Sequence, residues 1–197
     1  MTRIPTQKRS IEKRNKIIEK GFELMCEKGY YNTSTPDIAE SAGVSTGIIY
    51  QYFNDKKDIF IEGIKQYSNS IMFPMINVLK SQKIEINNFD KLLNTMIDKF
   101  IETHTISKKA HEELNAMSHL DSDISAIFKN FEFETTEKIV TLLENNNIHL
   151  ENPREKVHII INMVDNLCHE IVYHKHPQIN YDIMKNEVIN IIKNILK

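Results

Sequence analysis

Thr35-Pro36-Asp37-Ile38-Ala39-Glu40-Ser41-Ala42-Gly43-Val44-Ser45-Thr46-Gly47-Ile48-Ile49-Tyr50-Gln51-Tyr52-Phe53 carries the pattern of two short helices joined by a glycine turn. Thr35 is a natural N-cap, Pro36 fits N1 where its missing N–H costs nothing, and Asp37 suits the positive helix end. Gly43 follows after barely two turns and can adopt the positive φ a tight turn needs. Ser45 then caps a further helix that runs to about Tyr52. Ile38 and Ala39 are expected in the core, with Val44 and Ile49 pinning the second helix inward. This is the geometry of helix-turn-helix DNA recognition. Ser45, Thr46, Gly47, Ile48, Tyr50, Gln51 and Tyr52 are left to face a major groove. Hydroxyls and helix N-termini bind phosphate, glutamine reads adenine, and glycine permits close backbone approach.

Helical spacing continues on both sides. Ile17, Ile18, Phe22 and Met25 predict a helix over Ser10–Lys28, stopped by Gly29. A fourth helix restarts at Asn54-Asp55 through Ile59, Phe60, Ile64, Tyr67 and Ile71, bent or ended near Pro74. Further helices are expected over Phe89–Thr103, from about Lys108 to Leu120, and from Ile124 to a stop at Asn145-Asn146-Asn147. Asn152-Pro153 opens a helix to His174, and the last runs from Tyr181 to Lys197. No strand alternation competes. The fold class expected is all-α, with about nine helices.

Composition agrees. The chain has 197 residues, of which 41% are hydrophobic and 26% charged, with five glycines and five prolines, too few for a fold of many tight turns. Its longest aliphatic run, Ile159-Ile160-Ile161, spans no bilayer, and Met1–Ser10 is polar and basic, unlike a secretory signal. Cys26 and Cys168 are far apart and form no CxxC pair, so a reducing cytoplasm is the expected location. The net charge of −2 is uneven: residues 1–20 carry seven Lys/Arg against two Glu, as expected if only the N-terminal part meets an anionic partner.

The quoted stretch, followed by Lys56 and Ile59-Phe60 and preceded by Ile17-Ile18, Leu24-Met25 and Lys28-Gly29-Tyr30, closely resembles the DNA-binding signature of TetR/AcrR-family transcriptional regulators. The resemblance covers roughly residues 11–61. Gly21 departs from it, standing where the family usually has Ala, at up to about 1 kcal/mol in helix propensity. The resemblance implies a three-helix DNA-binding domain over residues 1–55, with its motif at 34–53, and a larger helical domain over 56–197 that binds a small molecule and dimerises. It implies that Thr35 and Lys56 contact phosphate, and that residues 153–197 form the homodimer interface. The expected function is a repressor bound to a palindromic double-stranded operator and released by a ligand. The alternative is an architectural or division-control protein on the same fold, without an inducer.

Three other constellations carry less. Tyr67, Met72, Met75, Met96, Phe100, His104, Met117, Phe128, Phe131 and Met163 mix flexible methionines with aromatics, as a mainly apolar ligand pocket would, although a core has the same composition. Eight histidines (His104, His111, His119, His149, His158, His169, His174 and His176) form no HExxH or Cys/His motif. Glu170 and His174 share a helix spacing, but no metal and no other cofactor is expected. Cys168 and His169 are sequence neighbours that point apart on a helix, and no enzyme activity is expected.

Overall fold

A computed structural model describes residues 5–81, 89–106 and 108–196; at 71–76, 78–81, 89 and 106 it describes the backbone alone. The described residues form nine helices and no strand: α1 Lys8–Lys28, α2 Thr35–Ala42, α3 Thr46–Tyr52, α4 Lys56–Ser81, α5 Phe89–Ile106, α6 Lys108–Leu120, α7 Ser122–Asn145, α8 Pro153–Tyr173 and α9 Tyr181–Ile195. None of them is long and apolar enough to cross a membrane.

One local expectation is corrected: Ser34, not Thr35, caps α2. Its hydroxyl accepts from the Asp37 N–H, and the Asp37 carboxylate accepts from the Ser34 N–H at 2.8 Å, closing a capping box. The Ser34 hydroxyl and backbone bonds hold the Asp37 carboxyl below its usual range. A box satisfies two orphan N–H groups where a lone threonine would satisfy one. At Pro74, where α4 was expected to bend or end, the helix does not end but runs on to Ser81.

Packing divides the chain into two units, Met1–Asn69 with Lys109–Ser125, and Ser70–Lys108 with Ala126–Lys197. In the first, Ile17, Ile18, Met25, Ile38, Ala39, Ile49, Phe53, Ile59 and Phe60 are buried. Phe60 stacks tilted on Phe22 and Tyr30, with centroids 5.6 and 5.1 Å apart. Gly21 sits where α1 meets α2 and α4. A Cβ there would fall 2.8 Å from Ile59 Cγ2 and 2.9 Å from Ile38 Cγ2, so its lost helix propensity is offset by close packing. The Lys109–Ser125 segment joins this unit through Glu113, which accepts the Tyr30 N–H at 2.5 Å, and through Lys57, which pairs with Asp121 at 2.8 Å and Asp123 at 2.7 Å. Those two carboxylates hold the Lys57 ammonium above its ordinary pKa.

In the second unit α5 packs on α8 and α9, and α8 on α9. Leu93, Ile97, Phe100, Val164, Leu167, Cys168, Val188, Ile189 and Ile192 form one core cluster, and Leu92, Val140, Leu143 and Val157 another. Lys185–Asp98 and Lys193–Asp90 ion pairs fasten α9 to α5, and Arg154 binds Glu137 of α7 in a two-pronged pair.

Candidate nucleic-acid interface

α2 ends on Gly43 at φ 67°, in the left-handed region, with the Gly43 N–H bonded to Glu40 O at 3.0 Å and the Val44 N–H to Ala39 O at 2.9 Å. This C-cap turns the chain sharply, and Ser45 starts α3 three residues after α2 ends. Ser45 flanks α3 without bonding its backbone through the side chain, which leaves the hydroxyl available to an external acceptor. Ile49 and Phe53 are buried and Val44 half-buried, so α3 is anchored by one face. The opposite face presents Ser45, Gly47, Tyr50 and Gln51, with Tyr50 55% exposed despite its size. At Gly47 the nearest atom to an added Cβ is Ser45 Oγ at 3.9 Å, so the backbone there stands open to an approaching surface.

Thr46, Ile48 and Tyr52 are half-buried at the edges of that face. Tyr52 turns toward α1, where its hydroxyl donates to Ser10 Oγ at 3.3 Å. Thr35, in the first turn of α2, is half-buried. Lys56 is engaged within the protein: its ammonium donates to Tyr30 O at 2.7 Å and Thr33 O at 2.8 Å and lies over the Tyr30 ring. Two of its three N–H donors are thereby spent on the loop between α1 and α2, leaving one for a phosphate. Arg14 is likewise committed, to Glu62 at 2.9 Å and over the Phe53 ring. Lys8, Arg9 and Lys16 of α1 are exposed, and Lys16 Nζ reaches to 3.6 Å from where a Cβ on Gly43 would lie. Lys16 beside the turn went unremarked in the sequence, because only the fold brings α1 alongside it.

The residues expected to line a ligand pocket are dispersed. Tyr67 and Met117 belong to the first unit, while Met96, Phe100, His104, Phe128, Phe131 and Met163 belong to the second. The side chains of Met72 and Met75 lie outside those described. A cavity of about 70 Å³ with an entirely apolar lining opens in the second unit among α5, α7, α8 and α9, and of the expected set it takes Met96 and Phe100. His174 lies just past the end of α8 as its C-cap, while Glu170 accepts from the Tyr181 hydroxyl at 3.1 Å. Burial pushes the Cys26 thiol up to about 12 and Cys168 higher still, so neither is a thiolate nucleophile at neutral pH.

A helix-turn-helix whose second helix is anchored on one side and bare on the other defines a DNA-binding regulator. Residues 17–62 match the family model described as bacterial regulatory proteins, tetR family, so the N-terminal region carries the DNA-binding domain of that family of transcriptional regulators. The HTH-type transcriptional regulator HbdR of Aromatoleum sp. (strain CIB) is 50% identical over 54 residues, 27% of this chain and 24% of HbdR. The biofilm operon icaADBC HTH-type negative transcriptional regulator IcaR of Staphylococcus aureus (strain Newman) is 37% identical over 71 residues, 34% of this chain and 37% of IcaR. These matches span about a quarter and just over a third of those two relatives. A crystal structure described as a TetR-family transcriptional regulator from Mesorhizobium loti superposes with TM-score 0.75 at 16% identity, covering 96% of this chain and 98% of that one. The overall fold is therefore that of TetR-family structures. Both curated relatives are described as transcriptional regulators, and the architectural alternative is not favoured among them.

Proposed function

We propose that this regulator is a repressor that binds a two-fold symmetric operator as a homodimer, in the cytoplasm, and leaves it on binding a small, mainly apolar ligand. The observation that carries the reading is the bare face of α3, on which Ser45, Gly47, Tyr50 and Gln51 stand together. DNA reading is assigned to residues 1–55, with Thr46, Ile48 and Tyr52 at the groove edges and Thr35 and Lys56 at phosphates. Ligand and partner binding are assigned to residues 56–197. Repression is supported by the likeness to IcaR, a negative regulator by its description.

Dimerisation through residues 153–197 is supported by three exposed isoleucines, Ile159 on α8 and Ile183 and Ile191 on α9. Large apolar side chains in water on the two C-terminal helices are what an isologous interface would cover. Release by ligand is supported by the apolar cavity, whose walls include Val157, Ile160, Ile161 and Val164 of α8, Ile192 of α9 and Leu196 just past its end. At about 70 Å³ it is smaller than the ~150 Å³ that accommodates benzene. A ligand of benzene size or larger must therefore displace one of the cavity walls, and release follows if that displacement alters the dimer. A coupling of about 2–3 kcal/mol, a factor of roughly 30–150, would switch a repressor. The test is titration of a screened apolar ligand into the protein with and without its operator. Linkage requires operator to weaken the ligand by the factor by which ligand weakens operator; equal affinities in the two titrations would reject induction.

A further inference from the structure

Seven of the first twenty residues are basic, and the fold sorts them. Arg14 is spent inside the protein on Glu62 and the Phe53 ring, and Lys20 pairs with Glu19 at 3.5 Å and Glu23 at 2.7 Å. Arg9, Lys13 and Lys16 stand at i, i+4 and i+7 of α1, a spacing that puts three cations on one flank of the helix. Arg9 and Lys16 are exposed and Lys13 half-buried, and among the described residues none of the three forms an ion pair. Glu12 lies four residues before Lys16, the spacing of an ordinary helical Glu–Lys pair. The Lys16 side chain reaches instead to the turn between α2 and α3, with Nζ 3.6 Å from where a Cβ on Gly43 would lie. Near the start of α1, Ser10 Oγ accepts from the Tyr52 hydroxyl at the other end of α3, at 3.3 Å. Both contacts lie within the first packing unit. The opening turns of α1 therefore run alongside α3 in the opposite direction, with the basic flank beside the turn that launches it.

We propose that Arg9, Lys13 and Lys16 of α1 form a backbone-binding edge for double-stranded DNA, neutralising phosphates beside the groove that α3 enters. From Arg9 to Lys16 the helix rises about 10 Å. That is the axial span of about three phosphates of one strand, which follow one another at about 3.4 Å. Arginine and lysine hold phosphate without reading bases, so the edge supplies affinity and salt dependence while α3 supplies sequence preference. Its placement beside the groove rests on the reading of α3 proposed above, whereas its binding of phosphate can be measured on any duplex.

The experiment measures binding of the full-length protein to a labelled duplex of arbitrary sequence, and to one selected from a random pool, between about 50 and about 200 mM salt. The Arg9→Gln/Lys13→Gln/Lys16→Gln variant should bind both duplexes more weakly at low salt and select the same sequences as the wild type. Each lost contact removes about 0.9 from the slope of log affinity against log salt, so the fall in affinity over that range should shrink by about fortyfold. The Lys91→Gln/Lys129→Gln/Lys138→Gln variant removes the same charge from exposed positions on α5 and α7 and should keep the wild-type slope. Melting by circular dichroism should be unchanged in both variants. A wild-type slope and affinity in the α1 variant, or an equal loss in the α5 and α7 variant, would overturn the edge. A wild type without sequence preference would reject the operator reading alone, because the slope on the arbitrary duplex judges the edge separately.

Discussion

Gly21 has opposite meanings in the sequence and in the fold. As a mid-helix glycine it lowers propensity, and Gly21→Ala would be expected to stabilise by up to about 1 kcal/mol. In the packed unit the added methyl meets Ile59 and Ile38 below 3.0 Å, and overpacking of this kind costs about 1–3 kcal/mol. Gly21→Ala is therefore expected to destabilise, read as a lower urea midpoint at unchanged m. At the groove face, Tyr50→Ala should cost on the order of 1–3 kcal/mol in specific DNA affinity with unchanged thermal stability, because the side chain stands largely in water. Anisotropy titration of labelled operator, with a melting curve alongside, checks both halves. Much of this face was legible from residue identity, since Gly43, Ile49 and Phe53 set the turn and the inward side. The engagement of Lys56 by two carbonyls was not, because those carbonyls belong to a loop more than twenty residues earlier.

At the scale of the elements, apolar periodicity located the helices and missed details that depend on neighbours. Thr35 and Ser34 are both good caps, and only the reciprocal bond with Asp37 decides for Ser34. Pro74 was expected to bend or end α4, and of the two the helix does not end there, so the missing proline N–H did not by itself stop it. Along α8 and α9 the apolar stripes did not separate core from surface. Val164 and Ile191 look alike in sequence, yet Val164 is 9% exposed and packed in the core while Ile191 is 44% exposed. A charge at Val164 would test folding; a charge at Ile191 or Ile183 tests association. Ile183→Glu and Ile191→Glu should give folded monomers where the wild type is a dimer, measured by gel filtration with light scattering at micromolar concentration. A monomeric wild type would reject the interface.

Across the whole molecule, the membership of Lys109–Ser125 in the DNA-reading unit was the least legible feature. It depends on Glu113 meeting Tyr30, a separation of 83 residues that no local pattern encodes. Glu113→Ala should leave the Tyr30 N–H without its acceptor and lower global stability by about 1–3 kcal/mol, seen in denaturant unfolding. The pairing of α5 with α8 was hidden for the same reason. The central claim is that α3 reads a two-fold operator. The measurement that tests it most directly is selection of binding duplexes from a random pool by the full-length wild type and by a Thr46→Ala/Tyr50→Ala variant. The account predicts that the wild type enriches two inverted half-sites with centres about 34–36 Å, or one helical turn, apart, and that the variant enriches none while retaining salt-sensitive binding to any duplex. Enrichment of the same half-sites by the variant, or no sequence preference in the wild type, would contradict it.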